Sequence, residues 1–306
     1  MFRLIIKSIF GIFVMALAIY GGIYAWIQLK ADEDIQQTDI YEAIPTYPDM
    51  MLIVHKPALL PEVWNICGKF SNLLPEKKSL VIVDAIGKSQ ICSEHCMDKE
   101  PLIISYYPEG TLLFSRMKLK DFEYMEKKFF KVNLSGFMPK KEAYKDAEIN
   151  IKATGDNASF FCYTLYHNIF IGSFEKKLIY KAIDARIQQS GLRNDSTFRE
   201  TIEAFNRFDK NVLSGLYLYH PKKSFIFKKL TSDTSEHWLT GDIKFRDQVM
   251  EISGFFPANE RDTLSVDSIF TPCVEDSIRY ADYTFRLFIS PNHPDKFYSL
   301  SITREP

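Results

Sequence analysis

Cysteine is scarce in this chain, and neither sign of charge is in excess. The 306 residues include five cysteines, and 38 lysines and arginines are balanced by 39 acidic residues. An odd number of cysteines spread over so long a chain argues against a small scaffold held together by disulfides. The charge balance argues against nucleic acid as a partner, because phosphate contacts need a basic face.

Sequence motifs of catalysis are also missing. There is no Gly-x-Ser-x-Gly nucleophile elbow, and the six histidines form no HExxH pair. Residues 81–89 resemble a phosphate loop, but Ile82 stands where that loop requires its first glycine. We therefore assign no catalytic, cofactor-binding or metal-binding residue and expect neither enzyme activity nor a cofactor. A hydrolase with a dispersed site, which would join His55 or His220 to an acidic residue, is the alternative.

Three potential metal ligands lie together at Cys92, His95 and Cys96. Zinc usually takes four ligands, and no second pair of Cys or His residues lies nearby in the sequence. In an oxidising compartment, a local disulfide between the two cysteines is the competing interpretation. A disulfide, unpaired thiols, and a metal or thiol-sensing site are therefore all compatible with this cluster.

Residues 9–27, IFGIFVMALAIYGGIYAWI, form an uninterrupted apolar run. About 20 apolar residues in a helix match the hydrocarbon core of a bilayer, so the run predicts a transmembrane anchor in contact with lipid. Arg3 and Lys7 precede it, whereas acidic residues follow Lys30. By the positive-inside rule we expect a single-pass protein of the cytoplasmic membrane, with its N-terminus inside and the bulk of the chain outside. A cleaved signal peptide is the alternative, but the small-x-small triplet at 16–18 lies in the middle of the run.

The whole chain contains 25 Phe and 16 Tyr, an aromatic content that indicates a folded domain behind the predicted anchor. We expect four regions in chain order, namely a cytoplasmic stub and anchor at 1–30, a spacer at 31–48, an exported α+β domain at 49–256 and a strand-containing tail at 257–306.

Short apolar runs separated by turn signals predict hairpins at 102–117 and 238–256, and a three-strand meander at 147–171. Strands joined by such short turns pair antiparallel. The predicted fold is therefore α+β: a large, mostly antiparallel sheet with helices packed on one face, preceded by the single transmembrane helix.

Helical periodicity is clearest after the first hairpin. In the segment 119–130 it places four apolar residues on the inner side, namely Leu119, Phe122, Met125 and Phe129. A second helix is predicted to begin at Ser173 and to stop at Gly191. A third begins at the capping box formed by Thr197 and Glu200.

The second and third predicted helices lie in SFEKKLIYKAIDARIQQSGLRNDSTFRETIEAF, residues 173–205. Together with IPTYPDMMLIVHKP and GTLLFSRMKLKDFEYMEK before it and WLTGDIKFRDQVMEISGFF after it, this stretch resembles the uncharacterised DUF3352-like family of envelope proteins from Gram-negative anaerobes. The resemblance covers roughly residues 44–256. It implies a single-pass anchor with an exported domain, and it transfers no catalytic residue.

These features together predict a non-catalytic, membrane-anchored envelope protein. Its exported domain is expected to bind a protein or an envelope component through the sheet or its loops. The dispersed hydrolase and a thiol or metal site at Cys92, His95 and Cys96 are the alternatives.

Overall fold

The structure is a computed structural model that describes residues 2–55, 57, 82, 85–86, 100–155, 159–205, 214–219, 238–246, 249–255, 278–280, 283–289 and 297–304. The chain divides into two compact units, Met1–Asp39 and Ile40–Pro306. The cluster of Cys92, His95 and Cys96 lies outside the described residues, as does His220.

The first unit is one helix, α1, over Phe2–Gln37. Its apolar side chains are open to the surroundings: Phe13, Tyr20 and Trp26 are 60%, 70% and 62% exposed. The predicted transmembrane helix at residues 9–27 is nevertheless wrong. A spanning helix needs both length and apolarity, and no helix among the described residues has enough of both to cross a membrane.

The second unit combines short helices with thirteen described strands. A 3-10 turn at Ile40–Glu42 precedes the strands, and a second lies at Leu192–Asn194. The α-helices are α2 (Leu119–Tyr124), α3 (Lys131–Asn133), α4 (Lys176–Ile187) and α5 (Ser196–Phe205), and a π-helical segment, Met125–Phe130, joins α2 to α3. The strands are β1 (Met50–Val54), β2 (Leu102–Tyr107), β3 (Gly110–Arg116), β4 (Lys140–Tyr144), β5 (Ala147–Ala153), β6 (Phe160–Tyr166), β7 (Ile169–Ser173), β8 (Ser214–Leu218), β9 (Leu239–Arg246), β10 (Val249–Phe255), β11 (Ile278–Tyr280), β12 (Tyr283–Ile289) and β13 (Phe297–Arg304).

These strands form one sheet in the order β11-β12-β13-β10-β9-β8-β1-β2-β3-β7-β6-β5-β4, and neighbouring strands pair antiparallel throughout. The predicted hairpins are confirmed as β2–β3 and β9–β10. The order is nearly symmetric about the central pair β1–β8. On each side three strands run outward in sequence, and the later strands then return from the edge toward them.

Helices cover both faces of the sheet, so the prediction of helices on one face is wrong. Cys162 and Tyr166 of β6 share a core with Ile179 and Ile183 of α4. Side chains alternate along a strand, and Tyr163 therefore points to the opposite face. There its ring lies 4.2 Å from that of Phe130, in the π-helical segment.

Candidate binding surface

The alternative predictions rest on histidine and cysteine, and the structure places His55 half-buried and Cys162 in the core. Burial lowers the pKa of His55, and His55 makes no ion pair with a described acidic residue. Cys162 is a buried free thiol, and burial raises its pKa to about 11. The thiol of Cys162 therefore stays protonated at neutral pH. No group of three metal-ligating side chains occurs among the described residues.

Charged and aromatic side chains connect edge strand β4 to helix α4. Glu142 accepts hydrogen bonds from the ammonium of Lys176, at 2.9 Å to each carboxylate oxygen, and from the Tyr180 hydroxyl. These bonds, that of Tyr180 first, lower the pKa of Glu142. Beside them the Tyr144 ring stacks on that of Tyr180 at 4.0 Å, and its hydroxyl donates to Asp184 at 3.0 Å. Each of these polar groups has its hydrogen-bond partner within the network. The network therefore holds β4 against α4.

The network makes stability depend on pH. A carboxylate whose folded-state pKa is lowered stabilises the protein above its unfolded pKa, and that contribution disappears as the pH falls through the folded-state pKa. Glu142→Gln is therefore expected to lower the urea midpoint at pH 7, with a difference from wild type that shrinks below about pH 4.5. Glu123→Gln, which removes one exposed ion pair with Lys127, should change the midpoint little at either pH. A Glu142→Gln difference that stays constant down to pH 3 would contradict this reasoning.

A second polar group lies between the π-helical segment and the sheet. The hydroxyl of Tyr163 donates to Glu126 at 3.1 Å, and burial raises the pKa of that hydroxyl. Lys152 and Asn150, on the neighbouring strand, are 6% and 4% exposed. Burial lowers the pKa of Lys152, while the charge of Glu126 opposes that shift. Glu126, in the π-helical segment, is thus the acidic group that interacts with Tyr163 and Lys152 on this face of the sheet.

The segment 127–141, which we call the rim, combines exposed apolar side chains with lysines. Val132, Phe137 and Met138 are 79%, 76% and 95% exposed. Val132 lies in α3, and Phe137 and Met138 lie between α3 and the start of β4. On β6, two strands in from the β4 edge, Phe160 is a further exposed ring, at 59%. Exposed apolar side chains with charged ones around them are a feature of interaction surfaces.

Backbone contacts hold both ends of the rim loop, the part of the rim at 134–139 between α3 and β4. Leu134 forms a bridge with Thr154, and the amide of Ser135 donates to the Ala153 carbonyl at 2.9 Å. After the loop, Lys140 pairs with Ile151 in the same strand, β5. The intervening residues therefore project from one edge of the sheet.

The sequence prediction missed this surface, which contains Gly136 and Pro139 and follows the helix predicted at 119–130. The available signal was the composition of KKFFKVNLSGFMPKK, in which Phe and Met stand between lysines. Periodicity gives no information on exposure in a connection, because a loop has no repeating face.

No protein-family model matches the chain, and no curated protein matches it either. Among solved structures, it is similar to TP0453 in three crystal forms. For crystal form I the TM-score is 0.41 and the identity 8%, over 88% of this chain and 92% of TP0453. Crystal forms III and IV give TM-scores of 0.41 and 0.40 and identities of 9% and 10%, again over 88% of this chain, with 94% and 95% of TP0453 covered.

Proposed function

We propose that this chain is a non-catalytic binding protein that contacts its partner through the rim. The observation that carries the proposal is the exposure of Val132, Phe137 and Met138, each more than three-quarters open to solvent. The residues around them bury their apolar side chains: Phe129, Phe130 and Leu134 are 2%, 0% and 5% exposed. When a partner binds and removes this exposed apolar surface from water, the free energy of the system falls, so binding is favoured.

The rim is also well placed to bind without reorganising. Buried Leu134 and the backbone bonds to β5 fix the loop on both sides. Binding residues that regular structure supports lose less conformational freedom when the partner binds. The hydrolase, the thiol or metal site, and placement of the domain outside the cytoplasm stay predictions.

Photo-crosslinking tests this proposal. The photoreactive residue p-benzoylphenylalanine replaces Phe137 in the full chain, which is expressed in its native cells and irradiated. The control places the same residue at Tyr47, an exposed aromatic side chain, at 55%, that lies outside the rim. We expect adducts from position 137 and few from position 47. Equal yields at both positions, or no adduct from position 137, would refute binding through the rim.

A further inference from the structure

We infer that the partner of the rim is an anionic lipid surface, an inference that rests on the proposed function and names its ligand. The rim would place Phe137 and Met138 in the headgroup layer, with its lysines against the lipid phosphates. Three observations carry this: the shape of the loop, its charge, and the small size of its apolar patch.

The shape of the loop suits shallow insertion. Both ends are fixed on β5, at Ala153 and at Ile151. Phe137 and Met138 lie between these two points and are the loop's most exposed apolar side chains. Aromatic and other large apolar residues on an interfacial surface enter a bilayer only to the boundary between headgroups and acyl chains. A short projecting loop reaches that depth without unfolding the sheet.

The charge of the rim selects an anionic surface. Residues 127–141 contain five lysines and no acidic residue. Lys127 and Lys141 pair with Glu123 and Glu148 at 3.3 and 2.6 Å. The remaining three are exposed and form no ion pair with any residue that the structure describes, namely Lys128, Lys131 and Lys140. Lysines near an anionic leaflet are attracted to it within about one Debye length.

The size of the patch favours lipid over a folded protein. A stable protein interface buries about 800 Å² on each partner around an apolar core. The rim offers two apolar side chains on the projecting loop and one on α3, together with lysines, which are depleted from protein interfaces. A lipid surface needs no complementary shape, so a few inserted side chains and several lysines are sufficient.

Vesicle binding of the purified full chain tests this inference. The probes are phosphatidylcholine vesicles with and without phosphatidylglycerol, at low and at high salt. We expect the triple variant Lys128→Gln, Lys131→Gln, Lys140→Gln to bind the anionic vesicles about tenfold more weakly than wild type, or weaker still. Phe137→Ser with Met138→Ser should lower affinity for the same vesicles, and high salt should reduce wild-type binding toward that of the lysine variant.

A charge-matched control separates the rim from net charge. Lys120→Gln, Lys177→Gln, Lys244→Gln removes three exposed lysines elsewhere in the chain and should leave vesicle affinity near that of wild type. Every variant keeps α1 unchanged, so that all of them are compared in the same full chain. Unchanged thermal midpoints verify that each variant is folded, as expected for exposed positions.

The outcomes distinguish the inference from the proposed function. If the rim variants bind anionic vesicles like wild type, or if the control variant loses as much affinity as they do, the lipid inference is wrong. Crosslinks from position 137 to protein, combined with unchanged vesicle binding, would overturn the inference and leave rim binding standing. Absence of any crosslink from position 137 would overturn both.

Discussion

Phe130→Ala is expected to lower the free energy of unfolding by about 3–5 kcal/mol, the usual cost of emptying a buried phenylalanine site. Phe130 is 0% exposed. Its ring lies 4.2 Å from Tyr163 and 5.8 Å from Phe161, measured between ring centroids, with Phe129 and Phe170 at 5.3 and 6.3 Å. The substitution removes all four ring contacts at once and leaves a cavity between helix and sheet.

The measurement is urea or thermal unfolding, and the midpoint should fall by roughly 10 °C. Phe137→Ala is the matched control, because it makes the same chemical change at a side chain that is 76% exposed. Its effect should stay within about 0.5 kcal/mol. Equal losses for the two variants would mean that the aromatic cluster under the π-helical segment does not stabilise the fold.

The same segment shows why the sequence predicted that helix only in part. A regular helical period places Leu119 on the inner side and leaves Phe130 outside the inward set. In the structure Leu119 is 61% exposed and Phe130 is buried. A π-helix takes i→i+5 hydrogen bonds and more residues per turn, so the inward face shifts after Met125 and Phe130 becomes buried. Leu119 is the first residue of α2 and lies before that shift. A pattern of period 3.6 contains no signal for that shift.

The hairpins were predictable because their information is local. Few residues separate β2 from β3 and β9 from β10 in the sequence, and turn chemistry with strand alternation specifies such pairs. The pairing of β3 with β7 is different, because strands β4 to β6 intervene in the sequence. Which face a helix covers depends on such crossovers, and this is why the prediction of one covered face failed.

The predicted N-cap of α5 was wrong by two residues. Thr197 and Glu200 match the capping box, but the helix begins at Ser196. The carboxylate of Asp195 accepts hydrogen bonds from the amides of Thr197 and Phe198 at 2.9 and 3.1 Å. Asp and Thr are both good N-caps, and the sequence offered both within three residues. The 3-10 turn at Leu192–Asn194 places Asp195, rather than Thr197, at the position that caps the helix.

Gly191 was predicted to stop α4, a place where glycine often takes the left-handed conformation, and the structure gives it another role. The left-handed residue is Gln189, with φ of 52°, whereas Gly191 is extended with φ of −75°. A Cβ on Gly191 would lie 2.1 Å from the carbonyl oxygen of Glu42. Glycine is needed here because two backbone segments approach closely, and a prediction based on helix termination cannot detect that.

Gly191→Ala is therefore expected to destabilise the protein by about 3 kcal/mol, at the upper end of the usual cost of overpacking. The carbonyl of Glu42 belongs to backbone, so a rotamer change cannot relieve the clash. The segments must move apart, which strains the Pro45–Gly191 bridge and the bond from the Leu192 amide to the Ile44 carbonyl, 2.9 Å long.

Gly136→Ala is the control for this prediction, because a Cβ there meets nothing within 4 Å. Alanine at such a site reduces the freedom of the unfolded chain, so Gly136→Ala should be neutral or stabilise by up to about 1 kcal/mol. In urea unfolding, the midpoint of Gly191→Ala should therefore fall, whereas the midpoint of Gly136→Ala should stay the same or rise. If Gly191→Ala retains the wild-type midpoint, residues 40–45 do not depend on close backbone contact with the α4–α5 connection. Such a result would also imply that glycine at this position is not required by packing.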